Sequence, residues 1–462
     1  MIKTLRRPRG EYSALFALMI PIILQNLASS SLGLVDTLMV GTLGQNELGG
    51  LNQANTVFFV IQLFTFGILS GGSVLIGQYW GKRDIGAINR VMGMSFYLSF
   101  AVGMLAATVI VLFPTQVISF TTNDPALIDC GARYARIVAY SFVLNSLSMV
   151  YIGAQRNAEN SALGMVVLIS SSTINIILNY ILIFGKLGLP AMGLEGAAYA
   201  TFIARICELA IVAAYALFFD KRIPLMPKKL FRPGKIIAKD YIKYATPVVI
   251  NETLWSFGYS MYAVVFGHMQ GAADIVAAYS ITGSLERIML VLCNGVGTAA
   301  AVIISKEIGA GRKEEDVVKT GNWLLTLSLI TGLITAFLPF FTERFLLDSV
   351  VYKVFRVSPA AEQIGHMMVL VTALRVFVKT YNYMVIVGVL RGGGNVRVAA
   401  VLDVIFMYLW SIPACFVAAF VFHAPILVVF LLAVSEDIIK AVVGGILCSR
   451  GTWVRNLTRD EV

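Results

Sequence analysis

The run SSSLGLVDTLMVGTLG, residues 29–44, carries one charge, Asp36, and no other charged residue occurs from Ser13 to Leu43. With no basic residue within two helical turns, the carboxylate has no partner along its own segment. Its natural chemistry is then to bind a proton or a hard cation. Three further side chains could share that task. Asn175 and Asn179 are four residues apart, which places them on one helix face, and Thr201 adds a hydroxyl. A carboxylate, two amides and a hydroxyl form an oxygen-rich set that suits sodium or hydrogen-bonds an acid that gains and loses its proton. A second set is charged on both sides: Glu252, and Arg375 with Lys379 at i, i+4 spacing. An ion pair of Glu252 with Lys379 and direct contact of Glu252 with a substrate are both open readings. Asp403, Glu436, Asp437 and Lys440 read as structural charges, as do Arg205 with Glu208 and Glu286 beside Arg287.

Composition defines the solvent around these groups. The 462-residue chain is 58% hydrophobic and 13% charged, about half the charge of a soluble domain. Twelve apolar segments are long enough to cross a hydrocarbon core: 13–42, 52–79, 89–118, 128–155, 163–185, 196–219, 241–269, 273–305, 318–342, 361–390, 398–422 and 425–448. Alternating ten-residue strands are absent, so the segments read as helices and the chain as an all-α, multi-pass membrane protein. A charge at mid-membrane costs about 2.5–3.5 kcal/mol on insertion scales, so it marks function or pairing. At about 1.5 Å per residue, Asp36 falls about 10 Å below the outer end of its helix. Asn175 and Asn179 fall about 17 and 23 Å above the inner end of theirs, and Thr201 about 8 Å below the outer end. All four belong to the outer half of the first lobe.

Basic residues orient the bundle. With the N-terminus inside, inner segments hold Lys3, Arg6, Arg7, Arg9, the eight from Lys221 to Lys243, and most of the rest. Outer ones hold only Arg133, Arg136, Lys186, Arg344, Lys353 and Arg356. This bias places both termini in the cytoplasm and the chain in the cell membrane. The net charge of +10 therefore reflects topology and contact with anionic lipid headgroups, not nucleic-acid binding. Cys130, Cys207, Cys293, Cys415 and Cys448 show no metal spacing, and His268, His366 and His423 fall near outer helix ends, so neither a metal site nor a cofactor is expected. No phosphate-binding loop occurs and no soluble stretch is long enough to house an ATPase, so any uphill work is expected to be driven by an ion gradient or by a partner. An enzyme is not expected. The partners expected are a small-molecule substrate and membrane lipids, with the chain a monomer.

The chain repeats itself. PIILQNL at Pro21 matches PVVINETL at Pro247, Val74-Leu-Ile-Gly matches Val302-Ile-Ile-Ser, and GAQRNAEN at Gly153 matches GVLRGGGN at Gly388. Three matches in one order imply two six-helix halves, 1–220 and 241–462, joined by a basic cytoplasmic linker at 221–240. An even number of spans gives the two halves one orientation, the arrangement of parallel halves that rock about a central cavity.

VDTLMVGTLG in the first span, GQYWGKRD closing the second, NIILNYILIFGKLGLPAMGLEGAAYAT across the fifth and sixth, and LRGGGN closing the tenth resemble the multidrug and toxic compound extrusion family over nearly the whole chain. The resemblance implies twelve helices in two pseudo-symmetric lobes, and antiport of amphiphilic, mostly cationic organic compounds against protons or sodium. It also implies a cation or proton site at Asp36, Asn175 and Thr201. Asn179 stands where an aspartate is common. In the tenth span, where relatives carry an acid that works with the seventh-span glutamate, this chain has Lys379 and Thr380. The basic pair Arg375 and Lys379 supports an alternative function, a flippase or exporter for an anionic lipid-linked or polysaccharide precursor. Glu252, Arg375 and Lys379 are the candidates for substrate contact or gating in either case.

Overall fold

A computed structural model describes residues 8–345, 347, 352 and 358–460; Lys3, Arg6, Arg7, Lys353 and Arg356 lie outside the described residues. The described elements are helices: α1 Arg9–Gly41, α2 Gln45–Lys82, α3 Ile85–Leu112, α4 Pro125–Val138, α5 Ser141–Asn157, α6 Ser161–Phe184 and α7 Gly193–Phe219 come first. They are followed by α8 Lys235–Gly267, α9 Ala272–Gly309, α10 Glu314–Phe345, α11 Pro359–Arg391, α12 Val396–Phe420 and α13 Ile426–Ser449. Each of the twelve apolar segments coincides with one of these, the fourth with α4 and α5, which meet at a bend of 50°.

Among the described residues, nine helices are long and apolar enough to cross a membrane, ten with the bent pair taken as one. The two that fall short are α8 and α13. They are long enough, but α13 carries Glu436, Asp437 and Lys440 within five residues, and α8 opens its apolar half with Asn251 and Glu252. The protein is thus a multi-pass, all-α membrane protein.

The internal repeat is visible in the elements. Helices α1 and α8 are both 33 residues long, begin 226 residues apart and carry an internal proline, Pro21 and Pro247, at the same offset. Helices α2 and α9 are both 38 residues long, 227 apart. The chain divides into two compact units, one of Met1–Met19 with Ile250–Leu457 and the other of Ile20–Val249 with Thr458–Val462. Each boundary in a helix falls within two residues of its proline, where a missing N–H interrupts the hydrogen-bond ladder.

The second unit is built around Leu51, Ala54, Phe58, Ile110, Tyr134, Val138 and Ala197. In the phenylalanine-rich stretch of α2, Phe58 packs on Tyr134 and Phe142, while Phe59, Phe64 and Phe66 are exposed. The segment after α7 is held to this unit at both faces: the Asn89 side chain donates to the Pro224 carbonyl and accepts from the Met226 amide, and Asp220 accepts from Tyr151 and Gln155. The first unit has its own core of Tyr262, Phe266, Met407, Cys415 and Phe430. Its glycine run after Arg391 ends α11, with Gly394 at φ +88°, and seats the Trp453 ring, which a Cβ on Gly393 would meet at 2.3 Å.

Candidate functional site

In the Ile20–Val249 unit, α6 and α7 approach closely. The α7 face reads Gly196, Ala197, Ala200, Ala204, and a Cβ on Gly196 would lie 2.7 Å from the Leu182 carbonyl. Small residues permit such an approach, and in an apolar medium close backbone packing supplies much of the helix-to-helix attraction. The approach brings short polar side chains within reach of each other. On α6, Ser171, Asn175 and Asn179 repeat every four residues along one buried face; on α7, Thr201, Arg205 and Glu208 answer them.

All four side chains expected from the sequence are joined in one chain. Asn179 Nδ2 donates to Asp36 Oδ1 at 2.5 Å and to Asn175 Oδ1 at 2.9 Å, and Asn175 Nδ2 donates to Thr201 Oγ1 at 3.3 Å. Asn179 is fully buried, yet its Oδ1 has no hydrogen-bond partner among the described residues. Leaving a buried acceptor unmade costs about 1–3 kcal/mol. Asp36 makes no ion pair among the described residues.

Two residues that sequence reasoning did not assign to this site border it. Tyr134 of α4, buried, hydrogen-bonds Thr201 and lies within electrostatic reach of Asp36. Arg205 lies one turn beyond Thr201 and also acts on Asp36 at a distance, but its guanidinium is held by Glu208 at 2.5 Å. Glu208 is in turn capped by Asn145 and Ser171, each at 3.2 Å. The i, i+4 step from Thr201 to Arg205 was the available signal for Arg205. Tyr134 had none, because no spacing along the chain links its segment to Asp36 or Thr201.

The Ile250–Leu457 unit holds the charged set in a different pairing from the expected one. Glu252 does not meet Lys379; its carboxylate binds Arg391 at 3.0 Å. Lys379 instead binds Glu286 at 2.8 Å, and Arg375 bridges Glu286 at 3.1 Å and Asp437 at 3.0 Å. The physical reason lies in α11. Its last eight residues, Met384–Arg391, wind as a π-helix, which fits more residues into each turn than the α-helical rise assumed. This draws Arg391 towards Glu252.

Glu286 likewise does not pair with Arg287, which bonds Ser284, because adjacent helical residues face different directions. The i, i+4 pair Glu436 and Lys440 does form, at 3.2 Å. Lys379 also lies over the rings of Trp255 and Tyr259, 6.0 and 5.7 Å from their centroids, and Tyr259 donates to Glu286 at 3.4 Å.

A carboxylate without a counter-ion in one half and acids held by internal cations in the other is an arrangement for handling charge inside a membrane. The comparisons name the family. The MatE family model matches residues 21–181 and 247–417, two blocks that begin at the paired prolines. The chain is 26% identical over 408 residues to "Probable multidrug resistance protein YoeA" of Bacillus subtilis, covering 86% of this chain and 85% of that one. It is 24% identical over 458 residues to "Probable multidrug resistance protein NorM" of Thermotoga maritima, covering 97% and 95%. Among solved structures, a MOP-superfamily transporter from Pyrococcus furiosus superposes with a TM-score of 0.85 at 19% identity, over 97% of both chains. An outward-facing multidrug resistance MATE transporter superposes with a TM-score of 0.83 at 19% identity, over 97% of this chain and 98% of the other. With the family model matched across both halves, this chain belongs to the MatE family, the multidrug and toxic compound extrusion transporters.

Proposed function

We propose that the protein exports amphiphilic organic cations from the cell by antiport against protons, with Asp36 as the proton carrier. The observation that supports this most is the hydrogen-bond chain Asp36, Asn179, Asn175, Thr201, in which the acid has amide support and no fixed cation. An amide N–H already directed at one carboxylate oxygen leaves the other free to take a proton with no rearrangement. Sodium would need the Asn179 amide to turn its unpartnered Oδ1 towards the acid. The names of the relatives, multidrug resistance proteins, point to varied organic substrates. The Glu286, Trp255 and Tyr259 grouping, filled by Lys379, shows the kind of surroundings a cation prefers.

The anionic-precursor reading loses its support, since Arg375 and Lys379 are both neutralised by carboxylates. The protein acts in the cell membrane with its termini in the cytoplasm, as the distribution of Lys and Arg favours. Reconstituted vesicles with separately imposed proton and sodium gradients test this reading with an ethidium-type probe. A proton gradient should drive efflux in the parent protein and fail to do so in Asp36→Asn, which keeps the side-chain volume but cannot cycle charge. Asn175→Ala and Thr201→Ala should weaken the gradient dependence more than the probe affinity. Gradient-driven efflux by Asp36→Asn would refute the role of Asp36, and efflux driven by sodium alone would exchange the ion.

A further inference from the structure

In the Ile250–Leu457 unit the buried charges sort into three groups. Glu286 and Asp437 balance Arg375 and Lys379. Glu252 balances Arg391. The third group does not balance: Lys440 Nζ lies 3.2 Å from Glu436 Oε2 and 3.9 Å from Asp403 Oδ1, one base for two acids. Glu436 and Lys440 are 2% and 3% exposed and Asp403 is partly buried, its side chain 20% exposed, and Glu436 lies ten residues into α13, about 15 Å from its start. A net negative charge held at that depth without a counter-ion is costly.

Among the described residues, each base near the group is already bound to another acid. From α13 itself, Asp437 is turned to Arg375. From α12 come Asp403 and the thiol of Cys415, which bonds the Val429 carbonyl. From α11, Arg375 is already bound by Glu286 and Asp437. From α8, Glu252 lies within electrostatic reach of Asp403 but is bound by Arg391 of α11 at 3.0 Å, Asn251 donates to Asp403 Oδ2 at 2.9 Å and Tyr262 donates to Ser411. Between Lys319 and Glu343, α10 has no charged residue. One acceptor beside the group also lacks a hydrogen-bond partner among the described residues: Oδ1 of Asn251, which is 1% exposed. A buried acceptor without a donor, beside one carboxylate too many, describes a place for a proton.

We infer that Asp403, Lys440 and Glu436 form a proton-binding site, distinct from Asp36, that holds one proton between its two carboxyl groups. A metal ion does not fit there, because the Lys440 ammonium already occupies the position facing both acids and would repel it. The site makes no use of the coupling proposed for Asp36, and its test does not depend on transport.

The test is an infrared difference spectrum of the full-length protein, purified in lipid, between acidic and alkaline buffer. It is recorded in an Asp36→Asn background so that the other carboxyl is silent, and in choline as well as sodium salts. The expected result is one protonated carboxylic-acid band that disappears in Glu436→Gln and equally in Asp403→Asn, since removing either acid leaves the other balanced by Lys440. Proton uptake on the same pH step should fall by one per molecule in each variant and rise by one in Lys440→Met. Persistence of the band in either acid variant would overturn the inference, as would a band present in choline and lost in sodium. Failure of both acid variants to fold would also overturn it, because each removes the charge that the parent must neutralise.

Discussion

Glu286 is the pivot of the larger charge network, and its replacement gives a quantitative test of the pairing. Its carboxylate, 4% exposed, holds Lys379 Nζ at 2.8 Å on one oxygen and Arg375 Nη1 at 3.1 Å on the other. At an effective dielectric constant of about 20 the closer contact alone is worth about 6 kcal/mol before desolvation is subtracted. Removing one partner of such a buried pair typically leaves a net cost of about 3–5 kcal/mol. Glu286→Gln strands a positive charge: Arg375 keeps Asp437, but Lys379 keeps only the faces of Trp255 and Tyr259.

Lys379→Met is milder, about 1–3 kcal/mol, because Glu286 keeps Arg375. The double variant restores neutrality through the Arg375 and Asp437 pair, so it should be more stable than Glu286→Gln alone, with a coupling of about 2–3 kcal/mol. The assay is chemical and thermal unfolding of purified protein in detergent for the parent, both singles and the double. As a control, Glu252→Gln with Lys379→Met should be additive, because those two side chains do not touch. Additivity in the Glu286 cycle, or coupling in the Glu252 one, would refute the pairing.

Glu252→Gln and Arg391→Met should each lose stability and their combination recover much of it, read by the same unfolding assay, because the two are bound at 3.0 Å with side chains 14% and 4% exposed. Gly71→Ala should destabilise the Ile20–Val249 unit by about 1–3 kcal/mol, since its Cβ would meet the Ala245 Cα at 2.4 Å. Gly33→Ala, in open space on the same unit, should be neutral or stabilising by up to about 1 kcal/mol, and thermal midpoints of the two variants should move in opposite directions or differ clearly in size. Arg459→Ala should leave the buried Asp240 carboxylate without the guanidinium that holds it at 2.5 and 2.8 Å, and so loosen the C-terminal segment from α8. Hydrogen exchange at residues 458–460 should rise in that variant.

What was legible in the sequence, and what was not, divides by the number of unknowns in each contact. Apolar length alone places every span, because a helix that crosses hydrocarbon must satisfy its own backbone. Contacts within one helix have one unknown, the spacing, and these were realised: Asn175 with Asn179, Glu436 with Lys440, Arg205 with Glu208 at i, i+3. The N-terminal site was legible because its members converge at one depth and the close approach of α6 and α7 tolerates error in rotation. Contacts between helices of the other half required rotation and rise together. Equal depth suggested Glu252 with Lys379, but the turn of α8 and the π-helical end of α11 gave Glu252 to Arg391. The same mismatch explains why the excess carboxylate at Asp403 and Glu436 was hidden. Along the chain Glu436 and Lys440 cancel as a pair, and only the packing of α12 on α13 brings in Asp403 as a second acid. A charge count along the sequence therefore reads as neutral a site that, counted in space, is one base short.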